Sequence, residues 1–373
     1  MERRVFLQTG FLATVVAGRR MSSPGRLSAT PVRRVDPMRL NANENPLGPS
    51  AAARQAIVDG IVDANRYPFI SRVPVEEAVA AAHDVDVSNV VLGTGSTEVL
   101  QMSVQAFGRF GSKFIIADPT FEDVPGYAVP WELATEKIRL RSDYAHDIEA
   151  MKRSAAATDG PVVVYICNPN NPTGTLTPSV EVDTWIRSAP DNVYFLVDEA
   201  YYEYAQHATE YWSAIKWIAT HRNVVIARTF SKIHGMAGLR LGYALAHPET
   251  ATLLRSMACD NGANHLALVA AQASLGDPGH VTRSIDVNER SRRILHRVLN
   301  DLDLDYLPSY TNFVMHRING DLQTYINRMS ENSINVGRPF PPMLDHNRIS
   351  LGSPEEMERF AETLTTFRER GWV

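Results

Sequence analysis

The chain has 373 residues, of which 44% are apolar and 21% are charged, and this composition excludes a disordered, collagen-like or coiled-coil protein. Lysine and arginine number 37 against 42 acidic residues, and the net charge of −5 comes without a long basic stripe, so we expect a small-molecule partner and no nucleic acid. The two cysteines, Cys167 and Cys259, have no CxxC neighbour and predict neither a disulfide framework nor a bound metal. No apolar run reaches the ~18–20 residues of a membrane-spanning helix, so no stable membrane span is expected.

Residues 1–20 have the layout of an export signal, because an arginine pair precedes a short apolar stretch and more arginine follows it. The pair resembles the twin-arginine signal of proteins exported in folded form, which predicts a periplasmic protein. Two alternatives stay open: an uncleaved basic tail on a cytoplasmic protein, or translation that starts at Met21 or Met38. The Ser/Pro/Arg-rich segment that follows predicts an N-terminal arm over residues 21–45.

Short β-branched runs alternate with helix-like segments in the next part of the chain. The runs cover residues 90–93, 113–118, 162–167, 193–198, 223–228 and 242–246. Continuous apolar runs indicate strands buried on both faces, and the segments between them indicate helical crossovers. We therefore expect an α/β fold, with a large domain over residues 46–260 built around a mostly parallel sheet. A long polar helix near 280–303 and strand-like runs at 313–318 and 348–352 predict a smaller α+β domain over residues 261–373.

Polar residues follow several of these strands, and ligands of open α/β sheets bind at the carboxyl ends of strands. The segment 93–98 opens a helix whose first N–H groups can hold a phosphate, with a purely structural turn as the alternative. The loop 168–174 has two prolines and three asparagines, and these residues restrict the backbone more than an ordinary turn requires. Asp198 emerges directly from a buried strand, where a carboxylate needs a cation or a proton donor.

Lys232 lies just past another strand, beside hydroxyl-bearing and small residues. An amine in such a place can lose its water and become a nucleophile, although a lysine taken alone is more often an exposed loop residue. A phosphate cradle, an asparagine, an aspartate, a tyrosine and a lysine at successive strand ends are the parts that hold pyridoxal phosphate. This cofactor bonds to a lysine and needs an acid beside its ring nitrogen.

Seven motifs in the correct order resemble the class I/II aminotransferases of fold type I, and the histidinol-phosphate aminotransferase branch in particular. They are LNANENPLGPS (40–50), RYP (66–68), GTGSTE (93–98), NPNNPTG (168–174), DEAY (198–201), SKIHGMAGLRLG (231–242) and RISLG (348–352). The resemblance implies a pyridoxal-phosphate-dependent enzyme that transfers an amino group between an amino acid, or a histidinol-phosphate-like amine, and a 2-oxo acid. It also implies a homodimer with shared active sites.

The resemblance assigns catalytic roles to three residues. Lys232 would bond to the cofactor and carry the substrate's proton, and Asp198 would pair with the ring nitrogen. Tyr201, together with Asn171, would hold the ring's phenolic oxygen. The other cofactor contacts would come from Gly95, Ser96, Thr97, Phe121, Thr229, Ser231, Arg240 and, from the neighbouring subunit, Tyr67.

Three further residues are implied as substrate contacts. Arg348 would fork onto the substrate's carboxylate or phosphate. Arg338 is either the second arginine of the histidinol-phosphate branch or a solvated loop arginine. Asn43, with Glu44 beside it, would close over the substrate.

Other reactions remain open on the same scaffold. A decarboxylase similar to threonine-phosphate decarboxylase, or an amino-acid oxidase or cyclase, would use the same cofactor site, because the reaction depends on which α-carbon bond lies perpendicular to the ring. A catalytically silent binding module is disfavoured because every expected catalytic position is filled. A nicotinamide dehydrogenase is disfavoured because Glu98 stands where the dinucleotide fingerprint needs glycine. Export would favour a free amino acid over histidinol phosphate as the amino donor.

Overall fold

The computed structural model describes residues 37–108, 111–259 and 261–373. The predicted export signal at 1–20 and most of the predicted arm, residues 21–36, lie outside the described residues. Within the described ranges, no helix is both long enough and apolar enough to cross a bilayer.

Seven strands form a central, mostly parallel sheet. In chain order the strands of the molecule are β1 (Met38–Leu40), β2 (Val90–Gly93), β3 (Lys113–Asp118), β4 (Ala134–Arg139), β5 (Val162–Cys167), β6 (Val193–Asp198), β7 (Val224–Thr229), β8 (Gly242–Ala246), β9 (Phe313–Arg317), β10 (Ile334–Val336) and β11 (His346–Ser350). The central sheet has the order β2-β8-β7-β6-β5-β3-β4, and β8 runs antiparallel to both of its neighbours while the other neighbours pair in parallel. The α/β class with a mostly parallel sheet is therefore confirmed.

The inner strands are apolar along most of their length because both faces of the sheet are covered. In β5, Val162, Val164 and Ile166 belong to one hydrophobic core, whereas Val163 and Tyr165 belong to the core on the other face. Successive side chains of a strand point to opposite faces, so a strand covered by helices on both sides needs apolar residues at every position. The continuous apolar runs of the sequence have this physical cause.

Helices connect the strands and cover the sheet. They are α1 (Ala51–Gly60), α2 (Phe69–His83), α3 (Gly95–Phe107), α4 (Asp123–Ala128), α5 (Ile148–Ala156), α6 (Ser179–Ser188), α7 (Tyr202–Ala205), α8 (Pro248–Arg255), α9 (His265–Leu275), α10 (Pro278–Asp301), α11 (Leu322–Glu331) and α12 (Pro354–Glu369). Side-chain caps fix where some of them begin. The Ser50 hydroxyl accepts from the N–H of Ala53 at α1, and Ser353 and Glu356 form a capping box at α12.

The C-terminal part of the chain has a core of its own. There β9 and β11 pair antiparallel, and β1 pairs in parallel with β10. Met38 and Leu40 of β1 pack in this core with residues such as Leu295 and Phe360 from α10 and α12. The end of the predicted arm is therefore built into the C-terminal part of the molecule.

Strands β1, β4 and β10 and the packing of helix α9 differ from the expected pattern of elements. Strand β4 was not expected, because its side chains are mostly exposed and it lies at the sheet edge, where no apolar run is needed. Helix α9 packs against α1 and α2 and gives Ala267 and Leu268 to the core of the central sheet, whereas the C-terminal core draws on Leu295 and later residues of α10. The domain boundary after residue 260 stays a prediction, and the packing associates α9 with the sheet that precedes it.

Candidate active site

A cavity opens where the strands of the central sheet end. It has a volume of about 160 Å³ and opens to solvent. Its lining residues are Ser96, Thr97, Phe121, Cys167, Asn171, Asp198, Ala200, Tyr201, Thr229, Ser231, Lys232, Ala237 and Arg240. The sheet topology brings these residues together because parallel strands direct their carboxyl ends to one edge. Cys167, Ala200 and Ala237 were not among the predicted residues.

Lys232 is half-buried in the loop that follows β7. Its Nζ donates to the backbone oxygen of Asn43 at 3.2 Å and lies 5.7 Å from the centre of the Tyr201 ring. Burial, and then the positive charge of Arg348, lower the pKa of the ammonium group from 10.5 to about 8. At pH 7 about a tenth of this amine is therefore in the neutral form that attacks a carbonyl carbon.

Asp198 ends β6 with a buried carboxylate that faces the cavity. The Tyr165 hydroxyl donates to its Oδ2 at 2.9 Å, and the N–H of Ala200 donates to its Oδ1 at 3.1 Å. Burial raises the pKa of this carboxyl group to about 6, and the two hydrogen bonds oppose that rise. The group is therefore mostly ionised at pH 7 and suited to a positively charged ring nitrogen.

Tyr201 and Asn171 both line the cavity, and their contacts to the phenolic oxygen stay a prediction. The Tyr201 hydroxyl accepts from Asn43 Nδ2 at 3.0 Å, and its ring packs edge-on against Phe313. Burial raises the pKa of the phenol above its ordinary value, so the hydroxyl keeps its proton and can donate. The amide oxygen of Asn171 accepts from Arg348 Nη1 at 2.7 Å, and the amide nitrogen is the donor that a phenolic oxygen would need.

An anion site lies at the start of α3. Arg240 donates through Nη1 to Ser231 Oγ at 3.3 Å and through Nη2 to Thr97 Oγ1 at 3.4 Å, so its guanidinium spans the two segments. Gly95 has a φ of +77°, and a Cβ atom there would collide with this guanidinium. The positive helix end, the hydroxyls and the arginine are groups that would suit a phosphate, and the N–H of Ser231 donates to Thr229 Oγ1 at 3.0 Å among them.

Two arginines lie at the opposite side, around the ring of Phe340. The guanidinium carbons of Arg348 and Arg338 lie 4.5 and 4.3 Å from the centre of that ring. Arg348 is buried, its Nε has no hydrogen-bond partner within the described residues, and burial lowers its pKa to about 10. Arg338 is half-exposed and pairs with Glu122 at an N–O distance of 2.5 Å.

Asn43 connects the N-terminal segment to both parts of the site. It has a φ of +54°, its N–H donates to Ser350 Oγ at 2.7 Å, and its side-chain oxygen accepts from the same hydroxyl at 3.0 Å. Its backbone oxygen accepts from Lys232 and from Asn312 Nδ2, the latter at 2.9 Å. Glu44, expected beside it over the substrate, is paired with Arg39 at 2.7 Å.

Sequence reasoning missed Ser350, Asn312, Phe340 and Tyr165. Ser350 lies within the quoted motif 348–352 and Asn312 directly precedes β9, but a motif does not report which side chain touches the arm. Tyr165 did carry a signal, because a tyrosine inside an apolar strand usually needs a hydrogen-bond partner. Asp198 is that partner.

Two predicted cofactor contacts, Gly95 and Tyr67, do not line the cavity, and of these Gly95 lies beside the guanidinium of Arg240. Tyr67 is 75% exposed, and its ring lies 5.7 Å from that of Phe69. Its assignment to the neighbouring subunit stays a prediction.

The residues present fit pyridoxal phosphate. Gly95 leaves the space that Arg240 occupies beside the helix end, which gives a site for the phosphate. Asp198 would hold the ring nitrogen, Tyr201 and Asn171 would hold the phenolic oxygen, and Lys232 provides the amine.

Comparisons with known proteins identify the family of this chain. The family model "Aminotransferase class I and II" matches residues 35–364. Histidinol-phosphate aminotransferase 1 of Nitrosococcus oceani is 34% identical over 346 residues, covering 89% of each chain. Histidinol-phosphate aminotransferase of Moorella thermoacetica is 35% identical over 334 residues, covering 88% of this chain and 85% of that protein.

A solved structure gives the same result at the level of the fold. Histidinol-phosphate aminotransferase from Sinorhizobium meliloti, determined in complex with pyridoxal-5'-phosphate, has a TM-score of 0.83 at 26% identity and covers 89% of this chain and 91% of its own. The protein therefore belongs to the class I and II aminotransferases and is a pyridoxal-phosphate-dependent enzyme that transfers an amino group between an amino donor and a 2-oxo acid.

Proposed function

We propose that the amino donor carries a phosphate group and that histidinol phosphate is this donor. The observation that carries the proposal is the pair Arg348 and Arg338, whose guanidinium groups both lie within 4.5 Å of the centre of the Phe340 ring. A carboxylate is matched by one arginine fork, whereas a phosphate monoester with close to two negative charges is matched better by two. The named relatives that act on histidinol phosphate support the same donor.

The side chains divide the work as follows. When bound, pyridoxal phosphate supplies the aldehyde that takes up the amino group and the ring that withdraws electrons from the donor's α-carbon. Lys232 Nζ would accept the proton from that α-carbon and deliver it to the cofactor carbon that takes up the amino group, which its lowered pKa permits near neutral pH. Asp198 would pair with the protonated ring nitrogen, and Arg348, which donates to Asn171, would orient the donor.

The test compares two donors that differ only in the phosphate. Histidinol phosphate and histidinol are added in turn to the purified holoenzyme while the yellow cofactor absorbance is recorded. We expect histidinol phosphate to bleach the band at concentrations at least about 100-fold lower, because two charge-assisted contacts of about 1.5–3 kcal/mol each are lost with histidinol. An equal response to both donors would contradict the proposal.

Two variants locate the effect. Arg338→Gln should narrow the difference between the two donors, whereas Arg297→Gln, which changes an exposed arginine paired with Glu358 on the C-terminal part, should leave it unchanged. With amino acids as donors, release of CO2 without formation of a 2-oxo acid would favour decarboxylation instead.

A free amino acid is a second candidate donor, because the arginine pair near the N-terminus favours export to the periplasm. Arg348 alone would then bind the α-carboxylate. Cell fractionation with an antibody tests the location. A shortened periplasmic form would support this candidate, and a full-length cytoplasmic protein would oppose it.

We also propose a homodimer in which Tyr67 completes the partner's site. Tyr67 lies within an exposed apolar surface, and such a surface marks an interface. The other members, each more than half exposed, are Val58, Ile61, Val62, Phe69, Ile70 and Val73.

Subunit mixing tests the shared site. Lys232→Ala and Tyr67→Ala chains should each be weakly active or inactive alone, and mixing them should restore one complete site in each mixed dimer. Absence of recovery in a dimer that has demonstrably exchanged its subunits would contradict the sharing.

A further inference from the structure

A buried hydrogen bond lies behind the carboxylate that faces the ring nitrogen. Tyr165 belongs to β5 and Asp198 ends the neighbouring strand β6, and the Tyr165 hydroxyl reaches Asp198 Oδ2 at 2.9 Å. Tyr165 is fully buried and does not line the cavity, so it has no direct access to a bound ligand. We propose that Tyr165 is a positioning residue, whose hydrogen bond fixes the carboxylate plane of Asp198 and keeps this group ionised for the ring nitrogen.

The strand register produces this contact. Strands β5 and β6 are parallel, with Cys167 opposite Asp198 and Tyr165 opposite Leu196. Tyr165 is therefore one pleat behind the strand end, on the same face as Cys167, and its long side chain spans the distance to the carboxylate. With Ala200 N–H on Oδ1 and Tyr165 on Oδ2, each oxygen has one fixed donor and a second lone pair remains for a ligand.

The other charged and titratable groups around Asp198 do not replace this bond. Cys167 on β5 stays a neutral thiol, because burial raises its pKa above the ordinary value. Lys232, from the loop after β7, supplies positive charge, and Glu199 and Tyr201 come from Asp198's own segment. Glu199 opposes ionisation of Asp198, but its own charge is paired with Arg228 at 2.7 Å.

Loss of the Tyr165 hydroxyl should therefore change the protonation of Asp198 and leave the fold intact. Burial has already brought the pKa of Asp198 to about 6, and the hydrogen bond from Tyr165 opposes that rise. Without it the pKa rises further, and a larger fraction of the carboxyl group is protonated at neutral pH. A protonated acid cannot balance the charge on a protonated ring nitrogen.

The test uses Tyr165→Phe and a ligand that cannot bond to Lys232. Pyridoxamine 5'-phosphate has no aldehyde, so its affinity for the cofactor-free full-length chain reports the non-covalent contacts alone. We expect the variant to bind it about tenfold more weakly at pH 7, and the deficit to grow as the pH falls to 6. An analogue with CH in place of the ring nitrogen should bind both proteins equally, within about twofold.

Tyr325→Phe is the matched control, because Tyr325 is also fully buried but lies in the C-terminal core, 3.4 Å from His316. It should leave the affinity for both ligands unchanged. In the holoenzyme, Tyr165→Phe should lower kcat and leave the KM for the donor within about twofold, because Arg348 is untouched.

Two results would overturn the proposal. One is an equal loss of affinity for pyridoxamine 5'-phosphate and for the analogue without the ring nitrogen, which would indicate a general structural defect. The other is a Tyr165→Phe protein that binds like Tyr325→Phe. If Tyr165→Phe does not fold, 3-fluorotyrosine is placed at position 165, because it keeps the size of tyrosine and donates a stronger hydrogen bond. The pH below which the affinity for pyridoxamine 5'-phosphate falls should then be lower than in the unmodified protein. An unchanged pH profile of that affinity refutes the role.

Discussion

Two arginine–glutamate pairs flank the cavity, and they differ in exposure rather than in distance. Arg228 and Glu199 are 2.7 Å apart with side chains only 3% and 2% exposed. Arg338 and Glu122 are 2.5 Å apart, but their side chains are 56% and 41% exposed. The first pair lies behind the cofactor residues of the central sheet, and the second lies beside the proposed substrate residues.

The difference shows how the two sides of the site are built. A buried charge must be paired, so Arg228 donates to Glu199 through two nitrogens and its guanidinium lies 3.6 Å from the centre of the Tyr202 ring. An exposed pair contributes about 0–1 kcal/mol and exchanges partners easily. The cofactor side is therefore fixed by the fold, whereas the substrate side offers a cation that an incoming anion can take over from Glu122.

The largest effect is expected from breaking the buried pair. Glu199→Gln leaves the charge of Arg228 buried without its counter-charge, so the free energy of unfolding should fall by about 3–5 kcal/mol. Denaturant titration of the holoenzyme measures this loss. A loss as small as that of Glu122→Gln would show that burial does not distinguish the two pairs.

Arg348→Ala should lower kcat/KM for a phosphate-bearing or carboxylate-bearing donor, with a loss of about 2–4 kcal/mol in transition-state stabilisation, because a desolvated charged contact is lost. Arg348→Lys restores the charge without the planar fork and should recover only part of the rate. Steady-state kinetics with an uncharged primary amine provide the control. If the uncharged amine suffers equally, Arg348 supports the fold rather than the donor.

The two sides are also coupled through Lys232, whose pKa of about 8 depends in part on the charge of Arg348. Only the neutral amine bonds to the cofactor aldehyde, so capture of pyridoxal phosphate by the cofactor-free chain should accelerate about 50-fold between pH 6 and pH 8. Arg348→Met removes a positive neighbour, which raises the pKa of Lys232 and slows capture at pH 7. Stopped-flow absorbance follows the reaction, and Lys232→Ala should show no covalent capture at any pH.

The smallest effect is expected at the exposed pair. Glu122→Gln should change the free energy of unfolding by less than about 1 kcal/mol. Because Arg338 no longer has a competing carboxylate, the KM for a phosphate-bearing donor should fall a few-fold, and more at low salt than at high salt. A rise in KM at both ionic strengths would mean that Glu122 helps to bind the donor.

The cofactor side could be predicted from the sequence because its residues follow buried strands. Asp198 comes directly after an apolar run and Lys232 lies three residues past the end of β7, and a parallel sheet brings such ends together. Strand β4 escaped prediction since an exposed edge strand needs no apolar run.

The substrate side was harder because its contacts join distant parts of the chain. Arg348 and Asn171 form a hydrogen bond although they are 177 positions apart in the sequence, and neither local segment predicts this contact. The resemblance identified Arg348 and Asn43 as residues of the site, but their partners depend on packing between the arm, the C-terminal strands and the central sheet. Tyr165 belongs to a strand that the sequence predicts, but its contact with Asp198 depends on the register of β5 against β6.

The bond between Asn43 and Ser350 spans 307 positions, and this has a consequence for protein synthesis. At about 5–20 residues per second, the ribosome needs roughly 15–60 s to make the second partner after the first. During that interval the N-terminal segment has emerged without the hydroxyl that anchors it and without β10, the strand with which β1 pairs. The proposed amino-donor site is thus among the last parts of the molecule that a nascent chain can assemble.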